Sequence, residues 1–174
     1  MKESLSSLFV PSAKGGEMEI KMGNGNMDNN TDQSFHYLLM ANQAMVHKQL
    51  LDGLTDTGLT IGQPKVLDYL KDHDGSNQRQ LAYGCRIEPS SLTVLLNRME
   101  DAGLIERRKK DGNRRSYYIY MTEKGRNCQI RVADEFQKLE EKAMRNISKE
   151  DQQLFQKIFL QMYHNLEKGE DSDE

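Results

Sequence analysis

Apolar side chains recur every three to four positions through most of the chain and every second position in one short stretch. Phe35, Leu38, Leu39, Val46 and Leu50 keep helical spacing and predict a helix from Asp32, a candidate cap, to about Leu54. A second helix is expected from Thr60, with Gln63 three residues on completing a capping box and Val66, Leu67 and Leu70 on its inner face. Pro64 falls in its first turn, where a missing N–H is best tolerated, and Asp74-Gly75 ends it. A short helix from about Gln78 to Gly84 follows, with Leu81 and Ala82 inward, then a turn through Cys85-Arg86-Ile87-Glu88. Pro89 suits the first position of the next helix, which turns Leu92, Leu95, Leu96 and Met99 inward, runs to about Ala102 and stops at Gly103. Two short helices joined by a tight turn form a helix-turn-helix.

The period then falls to two. Leu104 to Lys109 reads as a strand, residues 110–114 as a turn, and Ser116 to Met121 as the return strand of a hairpin with a basic tip. Tyr118 and Tyr120 share one of its faces, and Tyr117, Ile119 and Met121 the other. Thr122 caps a long helix to about Arg145 with Val132, Phe136, Leu139 and Ala143 as its stripe. Ser148 caps a last helix, with Asp151 in its acidic first turn and Leu154, Phe155, Ile158, Phe159, Met162 and Leu166 as its apolar positions. The expected fold is mainly α with a small β-hairpin.

Only 36% of the 174 residues are hydrophobic, below the usual share. Residues 1–30, rich in Gly and Asn and without periodicity, are expected to form a flexible arm, in which Met18, Met22 or Met27 is an alternative start; residues 169–174 form an acidic tail. The first helix and the last two keep an apolar side that a monomer would leave uncovered, so a two-fold dimer through the chain ends is expected. Apolar runs such as Leu38-Leu39-Met40-Ala41 are too short to span a membrane, and the N-terminus has no secretory h-region. Cys85 and Cys128 make neither a disulfide framework nor a zinc site and fit a reducing cytoplasm, where each reads as a small buried residue ahead of a thiol switch. The four His have no metal spacing, and no P-loop, GxGxxG or GxSxG occurs, so no metal, cofactor or catalytic role is expected.

The net charge of −3 argues weakly against nucleic acid until it is divided. From Gly103 to Arg131 nine cations meet three anions, a net of +6; from Asp134 to Glu174 six cations meet eleven anions, a net of −5. The basic part is compact and coincides with the hairpin.

In this order and at these spacings the motifs resemble the MarR family: Leu59-Thr60 with Gln63, Leu81-Ala82, Leu92 to Gly103 with Leu104-Ile105-Glu106-Arg107-Arg108, Asn113-Arg114-Arg115, and Met121-Thr122-Glu123-Lys124-Gly125. The resemblance covers about residues 31–168. It implies a winged helix-turn-helix with N- and C-terminal dimerisation helices, its DNA-binding part at about 59–122 and the dimerisation helices at about 32–54 and 123–168. The implied function is that of a homodimeric transcriptional regulator on a pseudo-palindromic operator in double-stranded DNA, a repressor first, modulated by a small-molecule or redox signal. The alternative is a winged-helix protein-interaction module that no longer reads DNA. Two departures bear on it: Asn113 stands where the family commonly has Asp, and Val94 where it commonly has Arg or another polar residue.

The helix from Pro89 turns Ser90, Ser91, Thr93, Val94, Asn97 and Arg98 away from the core. Short hydroxyls there suit phosphates, Thr and Asn suit base edges, and Val suits a thymine methyl; alone, such a face is more often merely solvated. Arg108, Lys110, Arg114 and Arg115 would serve the wing, with arginines at its tip suited to a narrow minor groove. Ser76, Asn77 and Gln78 open the preceding helix, where plain capping by Ser76 or Asn77 and a phosphate contact are equally expected. His36, Tyr37, Met40 and His47 are candidates for an effector pocket, against ordinary packing for each.

Overall fold

The computed structural model describes residues 34–110 and 113–167, and at 110 and 113–116 the backbone alone. Asp32, the arm, the tail and the turn residues Asp111 and Gly112 lie outside the described residues. Packing divides the chain after Leu38. The described part of the first unit, Ser34–Leu38, is the opening turn of α1 (Phe35–Gly53), where the Leu38 amide donates to the Ser34 carbonyl at 3.0 Å. The second unit continues α1 and adds α2 (Gln63–His73), β1 (Ser76–Asn77), α3 (Gln78–Gly84), α4 (Pro89–Asp101), β2 (Ile105–Lys110), β3 (Asn113–Met121), α5 (Glu123–Ala143) and α6 (Lys149–Glu167).

The core gathers Leu50 and Leu54, Val66, Leu67 and Leu70 of α2, Leu81 of α3, Leu92, Leu96 and Met99 of α4, Leu104, Ile105, Ile119 and Met121 at the hairpin base, and Val132 of α5. These are the positions that the two periodicities turn inward. Each fully buried aliphatic side chain contributes about 2 kcal/mol relative to exposure. Leu95, Phe136 and Leu139 pack at its edge, and Ala143 is exposed.

Two boundaries differ from expectation. Helix α2 opens at Gln63, three residues after Thr60, because Gly62 at φ +89° takes the cap position in a conformation that ends the preceding turn. Gln63 keeps half of the expected box: its Oε1 accepts from the Thr60 amide at 2.8 Å, while no side chain caps the start of the helix. The hairpin is the larger part of a three-stranded antiparallel sheet, ordered β1-β3-β2, with Ser76 opposite Ile119 and Ile105 opposite Met121. A strand of two residues is too short to show alternation, which is why β1 escapes the pattern.

The junction between wing and α5 is tightly built. Thr122 caps α5, its Oγ1 accepting from the Gly125 amide at 3.0 Å and donating to the Gly103 carbonyl at 2.6 Å. Its own amide donates to the Leu104 carbonyl at 3.1 Å. A Cβ on Gly125 would overlap that same Leu104 oxygen, so the glycine lets the first turn of α5 lie on the strand entrance.

Helix α6 is capped as expected, the Ser148 hydroxyl accepting from the Asp151 amide at 3.1 Å, but none of its residues is buried. Leu154, Phe155, Ile158, Phe159, Leu160 and Leu166 are exposed, with the two Phe rings stacked 5.3 Å apart.

Candidate nucleic-acid interface

Helix α4 begins with Pro89 in its first turn and ends before Gly103, which adopts φ +68°. Burying Leu92, Leu96 and Met99 sends the opposite face to solvent: Ser90, Ser91, Thr93, Asn97 and Arg98 are exposed, and Val94 is 52% exposed among them. Two of these polar groups are already oriented. Thr93 Oγ1 donates to the Pro89 carbonyl at 2.9 Å and accepts from Gln78 Nε2 at 2.5 Å, tying the first residue of α3 to α4. Asn97 Oδ1 accepts from Arg107 Nη2 at 2.7 Å, and the other Arg107 nitrogen pairs with Glu100.

Arg107 therefore clamps the wing strand to the outer edge of α4. In the sequence it is one cation among the nine of residues 103–131, with no motif to set it apart. Its strand parity, shared with the buried Ile105, was the available signal: alternation puts 105 and 107 on the face turned toward α4.

Along the wing, Arg108 is exposed, pairs with Glu106 and lies over the Tyr120 ring at 4.7 Å; Lys109 lies over Tyr117 at 5.3 Å. Stacking an alkyl stem and cationic head on an aromatic face limits where the charge travels. Lys110, Arg114 and Arg115 take backbone positions at the far end of β2 and the start of β3, beside a register irregularity between Lys109 and Lys110.

The basic segment is less uniformly available than its charge count suggests. Arg126 pairs with Asp74 at 2.9 Å, and Arg131 grips Asp56 through both nitrogens at 2.8 and 3.2 Å. The Arg131 guanidinium holds the Asp56 carboxyl below its usual range. Lys124 donates to the Ala102 carbonyl at 2.8 Å.

At the start of α3, Asn77 supplies the cap. Asn77 and Gln80 form a reciprocal capping box at 2.9 Å each way, so the Asn77 side chain serves the helix. Ser76, expected as a cap or a phosphate contact, is instead buried in β1, and its hydroxyl donates to the His73 carbonyl at 2.7 Å.

The four residues expected to line an effector pocket, His36, Tyr37, Met40 and His47, are each exposed on α1. An open depression of about 490 Å³ lies elsewhere, lined by Asp56, Thr57, Glu123, Lys124, Asn127, Cys128 and Arg131. Cys128 is half-buried there, while burial pushes the Cys85 thiol up to about 11. Among the described residues no helix is long and apolar enough to cross a membrane.

Comparison with known proteins agrees with this geometry. The sequence model of the MarR family matches residues 59–117. A putative transcriptional regulatory protein for the hcr operon of Thauera aromatica is 30% identical over 99 residues, 56% of this chain and 58% of that protein. The HTH-type transcriptional repressor MdtR of Bacillus subtilis (strain 168) is 28% identical over 97 residues, 54% of this chain and 63% of that protein. The chain thus spans about 60% of the length of these two curated relatives. In a crystal structure of the S. aureus MepR-DNA complex, MepR shares the fold at a TM-score of 0.71 and 22% identity, over 79% of this chain and 99% of that one. Residues 59–117, the helix-turn-helix and most of its wing, match the MarR family model, and the fold around them is that of the solved MarR-family structures.

Proposed function

We propose that this chain is a DNA-binding transcriptional regulator, acting as a homodimeric repressor on a pseudo-palindromic operator. About residues 59–122 form the reading part, and α1, α5 and α6 the dimer. The observation that carries the reading is the outward face of α4, from Ser90 to Arg98, locked by Arg107 to a basic wing. Helix α4 enters the major groove, where Val94 and Thr93 meet base edges, Asn97 and Arg98 lie alongside, and Ser90 and Ser91 meet phosphates. Arg108, Lys110, Arg114 and Arg115 carry the wing along the backbone toward the minor groove. Repression is in keeping with the B. subtilis relative, named a repressor, and DNA binding with the MepR-DNA complex. The uncovered apolar side of α6 supports the dimer, whose two heads would meet half-sites about one helical turn apart. A small molecule modulates affinity by binding one spacing of the heads better than another, and a redox signal by covalently favouring one of them.

Fluorescence anisotropy of a duplex from the chain's own upstream region, titrated across salt, tests this. Affinity should fall by about 0.9 log units per log unit of salt for each phosphate neutralised. If no salt-dependent affinity appears at low salt, the regulator reading fails; capture of a specific protein by the exposed α4 face would then establish an interaction module.

A further inference from the structure

Arg86 stands in the turn between α3 and α4 with φ +47°, a left-handed conformation that a branched-free but Cβ-bearing residue enters at a cost. Its guanidinium is held from the far end of the chain. Nη2 donates to the Tyr163 hydroxyl at 2.7 Å and pairs with the Glu167 carboxylate, both on the last turns of α6. The same carboxylate oxygen accepts from the Tyr83 hydroxyl at 3.0 Å and the Tyr163 hydroxyl at 3.2 Å, and His164 Nδ1 lies 3.6 Å from the other oxygen. The Arg86 carbon centre sits 4.6 Å from the Tyr83 ring centroid and 5.5 Å from that of Tyr163, enclosed between the two.

We propose that Arg86 is a positioning residue: with Tyr83, Tyr163 and Glu167 it latches the C-terminal helix to the helix-turn-helix, so that the orientation of the reading head follows that of α6. An isolated surface ion pair contributes little. Here three donors converge on one carboxylate oxygen, two rings cover the cation, and the left-handed turn that ends α3 presents Arg86 to them. None of the described residues of α6 is fully buried, and the polar contacts above tie its end to the reading head. In the dimer proposed above, on which this inference rests for its effect on DNA, α6 belongs to the shared frame. A head latched to that frame presents α4 at a set angle, and an unlatched head samples many.

The test uses the full chain with three variants: Glu167→Gln, Arg86→Gly, and the charge-swapped pair Arg86→Glu with Glu167→Arg. Hydrogen exchange on the DNA-free protein should speed up at both residues 84–88 and 160–167 in the first two variants and recover toward the parent in the swap. Arg86→Gly also relieves the left-handed backbone, so its melting temperature should hold while its latch is lost. Operator affinity should fall about five- to tenfold in both single variants, the size of a contact-pair coupling, with an unchanged salt slope. Unaltered exchange at 84–88 would overturn the latch. So would a reduced salt slope in Arg86→Gly with the slope of Glu167→Gln unchanged, because Arg86 would then be touching a phosphate itself. If the parent chain bound no DNA, the regulator reading would fall, and the exchange measurement would still decide the latch.

Discussion

Arg107 links two elements through one side chain, which makes its removal informative. Truncating Arg107→Ala frees Asn97 and leaves Glu100 without its partner at a half-buried position. Because the pair is partly solvated, stability should fall by about 1 kcal/mol or less. DNA affinity should fall further, about tenfold, since both α4 and the wing lose their mutual alignment. Thermal melts and anisotropy on the same variant separate the two effects; equal losses in both would reduce the residue to a structural role. Cys85 makes an independent residue-scale case. Burial raises its thiol to about 11, whereas an unfolded cysteine ionises near 8.5. Between those values the unfolded state loses a proton that the folded state keeps, so stability should decline as pH rises through that window and be indifferent to Cys85 below it. At neutral pH alkylation should mark Cys128 well before Cys85, and a mass-spectrometric time course that finds the reverse order would contradict the burial argument. Cys85 is the small buried residue that its sequence context predicts, with neither a CxxC partner nor a helix start beside it. The role of Arg107 was not legible, because an arginine in a run of cations looks the same whether paired or free, and what distinguishes it is the neighbour that folding brings.

Elements with a long apolar rhythm were legible: α3 from Gln78 to Gly84, α4 from Pro89, and Thr122 as the cap of α5 all stand where their spacing and capping chemistry place them. Short or cooperative features were not. The two residues of β1 have no period, and the delayed start of α2 depends on the left-handed Gly62 preceding it. The outward face of α4 was legible as a face, while its internal bonds from Gln78 and Arg107 were not, being contacts between elements. The wing–α5 junction shows how much can rest on one backbone approach. Gly125→Ala would push a methyl against the Leu104 carbonyl, which is backbone and also the acceptor for the Thr122 amide. Stability should drop by about 1–3 kcal/mol, as overpacking does. By contrast Asn77→Ala removes one cap and should cost about 1 kcal/mol. Urea denaturation of both variants checks the order, and a Gly125→Ala chain as stable as its parent would mean that the junction can relax.

At the scale of the molecule, charge and apolar surface answer different questions. The net +6 of residues 103–131 is partly matched inside the chain, by Glu100 on Arg107, Asp74 on Arg126 and Asp56 on Arg131, so the charge open to a partner is smaller than the count. The apolar surface concerns assembly. Helix α6 exposes Leu154, Phe155, Ile158, Phe159 and Leu166 on a helix with no buried residue, an uncommon state for so many large side chains in water. A stable dimer interface buries about 1,600 Å² in total, and a helix of 19 residues from each copy, joined by the apolar positions of α1, can supply area of that order. Replacing Phe155 and Ile158 by Glu puts two charges at the centre of that face, where desolvation without a partner is costly. Sedimentation should then show a monomer at concentrations where the parent chain is a dimer. The isolated core around Val66, Leu81 and Leu96 does not involve these side chains, so the helix-turn-helix should remain folded and keep weak, salt-dependent affinity for a single half-site. Affinity for the full operator should fall by far more than tenfold, because the second head no longer binds as part of the same molecule. A double variant that stays dimeric would place the interface elsewhere, and one that becomes monomeric yet binds the full operator as before would separate assembly from recognition altogether.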